Sequence, residues 1–102
     1  MRVQNIVSSK GNRVRNQFII KDGKGNTYFQ SYDTIIAKID RFGKVTLDDA
    51  RWKSSVTTSK YRNIFLNATS QEVEQRVKNK VYKLRRLNRE YVPINYTAPY
   101  QG

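Results

Sequence analysis

The chain has 102 residues and carries 20 Lys plus Arg against 8 Asp plus Glu, a formal net charge of +12. It contains no Cys and no His, which removes a disulfide framework, the usual zinc ligands and most nucleophile–base pairs. The length allows one domain with one modest core, and a hydrophobic content of 37% lies below the globular average.

Charge of this size opposes compactness through self-repulsion, and an anionic partner relieves it. Nucleic acid ranks first as that partner, an acidic protein surface second and anionic lipid third. Met1 to Asn5 lacks the apolar run of a signal peptide, and no stretch reaches transmembrane length. The expectation is a chain without a membrane partner.

Val3 to Val7 reads as an edge strand, and Ser8 to Asn12 as a turn. Gln17 to Lys21 concentrates aromatic and β-branched residues, as a buried strand does. Asp22-Gly23-Lys24-Gly25-Asn26 supplies residues that tolerate positive φ, so a hairpin returns through Thr27 to Tyr32. Thr34 to Ile39 reads as a further strand. Asp40 to Gly43 turns the chain, and Lys44 to Leu47 pairs back. Asp48 and Asp49 end that strand. Trp52 is expected to pack under the helix that follows.

That helix is the centre of the pattern. Tyr61, Ile64, Phe65 and Ala68 fall at i, i+3, i+4 and i+7, one helical face. Thr57, Thr58 and Ser59 supply N-cap hydroxyls ahead of it. A second helix opens with Thr69-Ser70-Gln71-Glu72, the spacing of a capping box. Val73, Val77 and Val81 continue its stripe, and Leu84 and Leu87 extend the same period. Asn79-Lys80 and the strand-favouring Val81-Tyr82 argue instead for a stop near Asn79. The tail from Tyr91 carries Pro93 and Pro99 and is not helical.

The leading charge feature is Arg76, Lys78, Lys80, Lys83, Arg85, Arg86 and Arg89, with Tyr82 interleaved and Tyr91 after it. Cations that neutralise phosphates beside aromatics that stack bases are the materials of single-strand binding. A solvated helix face is the plain alternative, but no acid interrupts the run before Glu90. Arg13 and Arg15, two apart on one strand face, form a second group with Lys21 and Lys24 around the first hairpin. Lys60 and Arg62 lie off the Tyr61 stripe and form a third. Both are open to a partner, and an ion pair of Arg62 with Asp48 or Asp49 is the structural alternative. Asp48 and Asp49 are the only adjacent acids. Strand neighbours point to opposite faces, which defeats a shared metal or an acid–base couple. No catalytic, cofactor or metal site is expected.

Asn16-Gln17-Phe18, Tyr28 to Tyr32 with Ile35-Ile36-Ala37, Val45 to Asp48, and Thr57-Thr58 with Lys60-Tyr61-Arg62-Asn63 and Phe65-Leu66 recur together in this order. In this the chain, from residue 1 to about 88, resembles a family of small, functionally uncharacterised proteins encoded by phages and plasmids. Relatives often carry Gly near position 80 and an aromatic near position 54, where this chain has Lys80 and Ser54. The resemblance implies a mobile-element origin and action in the bacterial cytoplasm or the virion. No site residue carries over.

The sequence thus predicts a single α+β domain over 1–90 with an extended tail over 91–102. Its architecture is a small antiparallel meander of about five strands with two short helices packed on one face. Phe18, Ile20, Phe29, Ile36, Leu47, Tyr61, Phe65, Val73 and Val77 form one expected core. The expected role is a non-enzymatic nucleic-acid-binding accessory protein. Its alternative is a protein-binding module, either an inhibitor of a host defence complex or a minor virion component, in which a partner holds the tail.

Overall fold

A computed structural model describes residues 2–8 and 10–90, the last without its side chain. The tail expectation therefore lies outside the described residues. The fold is α+β. Six strands form one sheet in chain order: β1 (Arg2–Val7), β2 (Arg13–Lys21), β3 (Thr27–Ser31), β4 (Thr34–Ile39), β5 (Val45–Asp48) and β6 (Lys83–Arg85). All neighbours are antiparallel except β5 and β6, which run parallel. Between those two, the chain makes α1 (Val56–Leu66) and α2 (Ser70–Lys78), and α3 (Leu87–Glu90) follows β6.

The meander and its turns follow the sequence reading, but β6 adds a strand to the expected five and α3 adds a helix. Parallel pairing requires a crossover, because the partner strand must start from the same end of the sheet. Here α1 and α2 provide that crossover.

Two hydrophobic clusters replace the single expected core. One gathers Phe29, Ile36, Leu47, Leu66, Val73 and Tyr82, with Tyr61, Phe65 and Val77 packed against it. The other gathers Ile20, Tyr28, Ile35 and Leu87, with Phe18 against it. Side chains alternate across a strand, and Ile19, not Ile20, lies opposite Phe29. Phe18 and Ile20 therefore sit on the other face from Phe29. The helices α1 and α2 cover the first face, and α3 with Leu87 covers part of the second.

The buried positions of α1 are Thr58, Arg62 and Leu66. The inward face is thus rotated from the expected stripe, and Ile64 is 51% exposed. The helix also starts earlier than expected. Ser55 is the N-cap and its hydroxyl accepts from the Thr58 N–H at 3.0 Å. Thr58 turns inward instead, its hydroxyl 3.0 Å from that of Ser31 on β3. Phe65 stacks on Phe29, with ring centroids 5.9 Å apart.

The start and stop of α2 agree with the sequence. Thr69 and Glu72 form a reciprocal capping box. At the other end Val81 N–H returns to the Arg76 carbonyl (2.8 Å) and Lys80 N–H to that of Val77 (3.1 Å). This is a Schellman closure around a left-handed residue, and that residue is Lys80 at φ 59°.

Candidate nucleic-acid interface

The basic run begins on α2 and ends on α3, so three elements position it. Arg76 is already engaged. Its guanidinium donates to the Tyr82 hydroxyl at 2.8 Å and lies 3.5 Å from Glu72. The Tyr82 hydroxyl, with the Glu72 charge in a lesser part, raises the Arg76 pKa above its ordinary value. Lys78 and Lys80 are exposed around the helix stop.

β6 is an edge strand with all three residues exposed. Lys83 lies beside Thr46, Leu84 beside Leu47 and Arg85 beside Asp48. Lys83 and Arg85 therefore share the face opposite Leu47. Arg86 and Arg89 are exposed around α3. Arg86 approaches Asp49 at 3.8 Å, with both side chains largely in solvent. Such a pair contributes little.

The placement of this segment comes from a buried polar joint. Asp48 is 3% exposed. Its carboxylate accepts from the Leu87 N–H (3.0 Å), the Asn88 amide (3.1 Å) and the Ala50 N–H (3.2 Å). With Leu87 buried beside it, Arg86 and Arg89 are left at the surface. An open cleft of about 700 Å³ lies among Asp33, Asp49, Arg51, Arg86 and Arg89. Its lining mixes both signs of charge. Among the described residues, no group of three or more His, Cys, Asp or Glu could hold a metal ion.

The other candidates separate. Arg13 and Arg15 are exposed on β2, flanking Val14, which packs against the first cluster. Lys60 is exposed, with its ammonium 5.4 Å from the Tyr61 ring centroid. Arg62 is 2% exposed, which corrects the reading of it as open to a partner. It does not meet Asp48 or Asp49 either. Nη1 donates to the Trp52 carbonyl at 2.6 Å, Nε and Nη2 to Asn63 Oδ1 at 3.1 and 2.8 Å, and Nη2 to the Ser70 hydroxyl at 3.4 Å. Its guanidinium also lies 5.8 Å from the Trp52 ring centroid, and Trp52 packs against the first cluster as expected. Burial lowers the Arg62 pKa, with the Glu74 charge opposing.

Sequence reasoning grouped Lys24 with Arg13, Arg15 and Lys21 and missed its neighbours Arg41 and Lys44 on the other loop. The β2–β3 and β4–β5 loops lie at one end of the meander and touch. A Cβ on Gly25 would come within 2.6 Å of Arg41 Cβ. Both loops are closed by an aspartate. Asp22 Oδ1 accepts from the Lys24 and Asn26 N–H groups (2.7 and 3.2 Å) and Oδ2 from the Asn26 amide (2.8 Å). Asp40 Oδ1 accepts from the Phe42 and Lys44 N–H groups (2.8 and 2.9 Å). Burial works against ionisation of Asp22, but the hydrogen bonds from Asn26 and Lys24 outweigh it and hold its carboxyl below the ordinary range. The Lys44 N–H does the same for Asp40. The closed loops present Lys24, Arg41, Lys44 and Phe42, which is 74% exposed. The available signal was an aromatic flanked by cations inside a tight turn, Asp40-Arg41-Phe42-Gly43-Lys44.

No helix among the described residues is long and apolar enough to cross a membrane. The sequence model of a family described as of unknown function, DUF8033, matches residues 1–82. The match ends ahead of β6 and α3. No curated protein and no solved structure matches the chain.

Proposed function

We propose that this chain, which belongs to the family of unknown function DUF8033, binds the phosphate backbone of nucleic acid without catalysing a reaction. The supporting observation is the exposure of Lys78, Lys80, Lys83, Arg85, Arg86 and Arg89 along the α2 stop, the β6 edge and α3. Their backbone is held by the α2 closure and the Asp48 joint, so little ordering opposes contact with a polyanion. Arg76 is half-buried against Tyr82 and Arg62 is buried, so neither is counted among the contacts.

Charges on an edge strand also discourage edge-to-edge pairing of sheets, and Lys83 and Arg85 serve that purpose too. Edge protection needs no further cations, whereas this run continues through Arg86 and Arg89 and starts at Lys78. The resemblance to phage and plasmid proteins supports an accessory role for a mobile element in the bacterial cytoplasm or the virion.

Titration of labelled DNA and RNA at several salt concentrations tests the reading. About five phosphate contacts on a duplex give a log–log slope near −4.5, and a single strand gives a shallower one. Changing Arg85 and Arg86 together to Ala reduces the slope by up to about two units and weakens all sequences alike. Changing Arg13 and Arg15 does less. Absence of micromolar binding to either polymer at low salt removes this reading and leaves an acidic protein surface as the partner.

A further inference from the structure

From the loops at the β2–β3 and β4–β5 end of the sheet, we infer a base-stacking site centred on Phe42, which makes single-stranded nucleic acid the preferred ligand. This inference rests on the backbone-binding reading above and adds the strand state to it.

The ring of Phe42 is 74% exposed, although a folded chain gains by covering an aromatic of that size. It stands at the tip of a loop that Asp40 closes through two backbone N–H groups, so the ring is presented on a rigid base. The Arg41 guanidinium lies 4.8 Å from its centroid. A base docked on this ring extends a cation–aromatic stack.

The surroundings supply the phosphate contacts. Gly25 brings the β2–β3 loop, which carries Lys24, against Arg41, the residue before Phe42. Strand register collects further cations at the same end. Lys21 pairs with Thr27, Thr27 with Ile39, and Ile39 with Val45. Lys38 pairs with Thr46, and Thr46 with Lys83. Because β6 runs parallel to β5, Lys83 enters from this end, so the basic edge begins at the same end of the sheet as the Phe42 loop. The acids of the two loops, Asp22 and Asp40, are turned to the backbone N–H groups of those loops.

Stacking on Phe42 requires a base face that is not already stacked on its neighbours. A duplex offers none along its length, and a single strand offers every base. Binding by this end therefore discriminates strand state and tolerates any sequence.

The experiment compares labelled oligothymidylate, oligouridylate and a duplex of the same length, each across a salt series. Phe42→Ala is expected to weaken single-strand binding about tenfold at fixed salt and to leave the salt slope unchanged, because stacking releases no counterions. Phe42→Trp retains the affinity, and duplex binding moves less than twofold. Lys24→Ala combined with Lys44→Ala lowers the single-strand slope by about one unit. If the wild-type chain binds and Phe42→Ala binds single strands equally well, the stacking site is overturned and the backbone reading stands. If the wild-type chain binds no polymer, both fall. If Phe42→Ala loses binding only to phosphatidylglycerol vesicles, the ring is a lipid contact and the inference is overturned.

Discussion

The Asp48 carboxylate accepts a hydrogen bond from the Asn88 side-chain amide at 3.1 Å, and this contact fastens the last described helix to the end of β5. Asn88 also completes the β4 edge. Its Oδ1 accepts from the Ile35 N–H (2.7 Å) and its amide donates to the Ile35 carbonyl (3.1 Å). At that position β4 has passed the last residue paired with β5, Ala37 opposite Leu47. The Asn88 side chain stands in for the missing strand, so buried backbone groups keep their partners.

Asn88→Ala leaves both Ile35 backbone groups and one bond of Asp48 unsatisfied. A loss of about 1–3 kcal/mol is expected, read as a lower urea midpoint at constant m-value. A stability within about 0.5 kcal/mol of wild type would show that α3 is not fastened through this residue.

Arg62 and Lys60 make opposite forecasts although they are two positions apart. Arg62→Ala removes bonds to Trp52, Asn63 and Ser70 from a side chain that is 2% exposed. It should cost about 3 kcal/mol. Lys60→Ala, at an exposed position, should change stability by less than about 0.5 kcal/mol. Chemical denaturation of both variants separates a structural arginine from a surface one.

Lys80 occupies the left-handed position of a Schellman closure at φ 59°. Glycine adopts that conformation without strain. Lys80→Gly should therefore stabilise the fold by about 0.5–1 kcal/mol, the left-handed strain of lysine outweighing the extra unfolded-state entropy of glycine. The thermal midpoint rises if this is right and falls if the lysine side chain itself holds the turn.

Asp40 supplies a pH dependence whose sign follows from its depressed pKa. The unfolded carboxyl titrates near 3.9, and the folded one lower. The stabilisation is present above the unfolded value and is lost as pH falls through the folded one. Urea midpoints measured from about pH 6 down to about pH 2 should show a shallower acid limb for Asp40→Asn than for wild type. Parallel limbs would mean that the loop does not depend on the carboxylate charge.

Chain order and local chemistry settled much of this protein in advance. The two hairpin loops were legible because Asp-Gly, Gly-Asn and Asp-x-x-Gly act on their own neighbours. The Thr69–Glu72 box and the stop at Asn79 were legible for the same reason: caps satisfy backbone groups within one turn. The charge imbalance needs no structure at all.

What the tertiary structure alone decided involves residues far apart in the chain. A three-residue strand such as Lys83–Arg85 has too little pattern to announce itself, and it exists because β5 offers an edge. The faces of α1 could not be assigned from periodicity. Thr58 and Arg62 look polar in sequence and become inward residues only where Ser31, Trp52 and Ser70 supply their hydrogen bonds. The division into two clusters depended on register, since a shift of one residue exchanges the faces of a strand. The meeting of the loop that carries Lys24 with the loop that carries Phe42 had no local signature. It arises because an antiparallel meander returns every second loop to the same end, and because Gly25 has no side chain to keep Arg41 away.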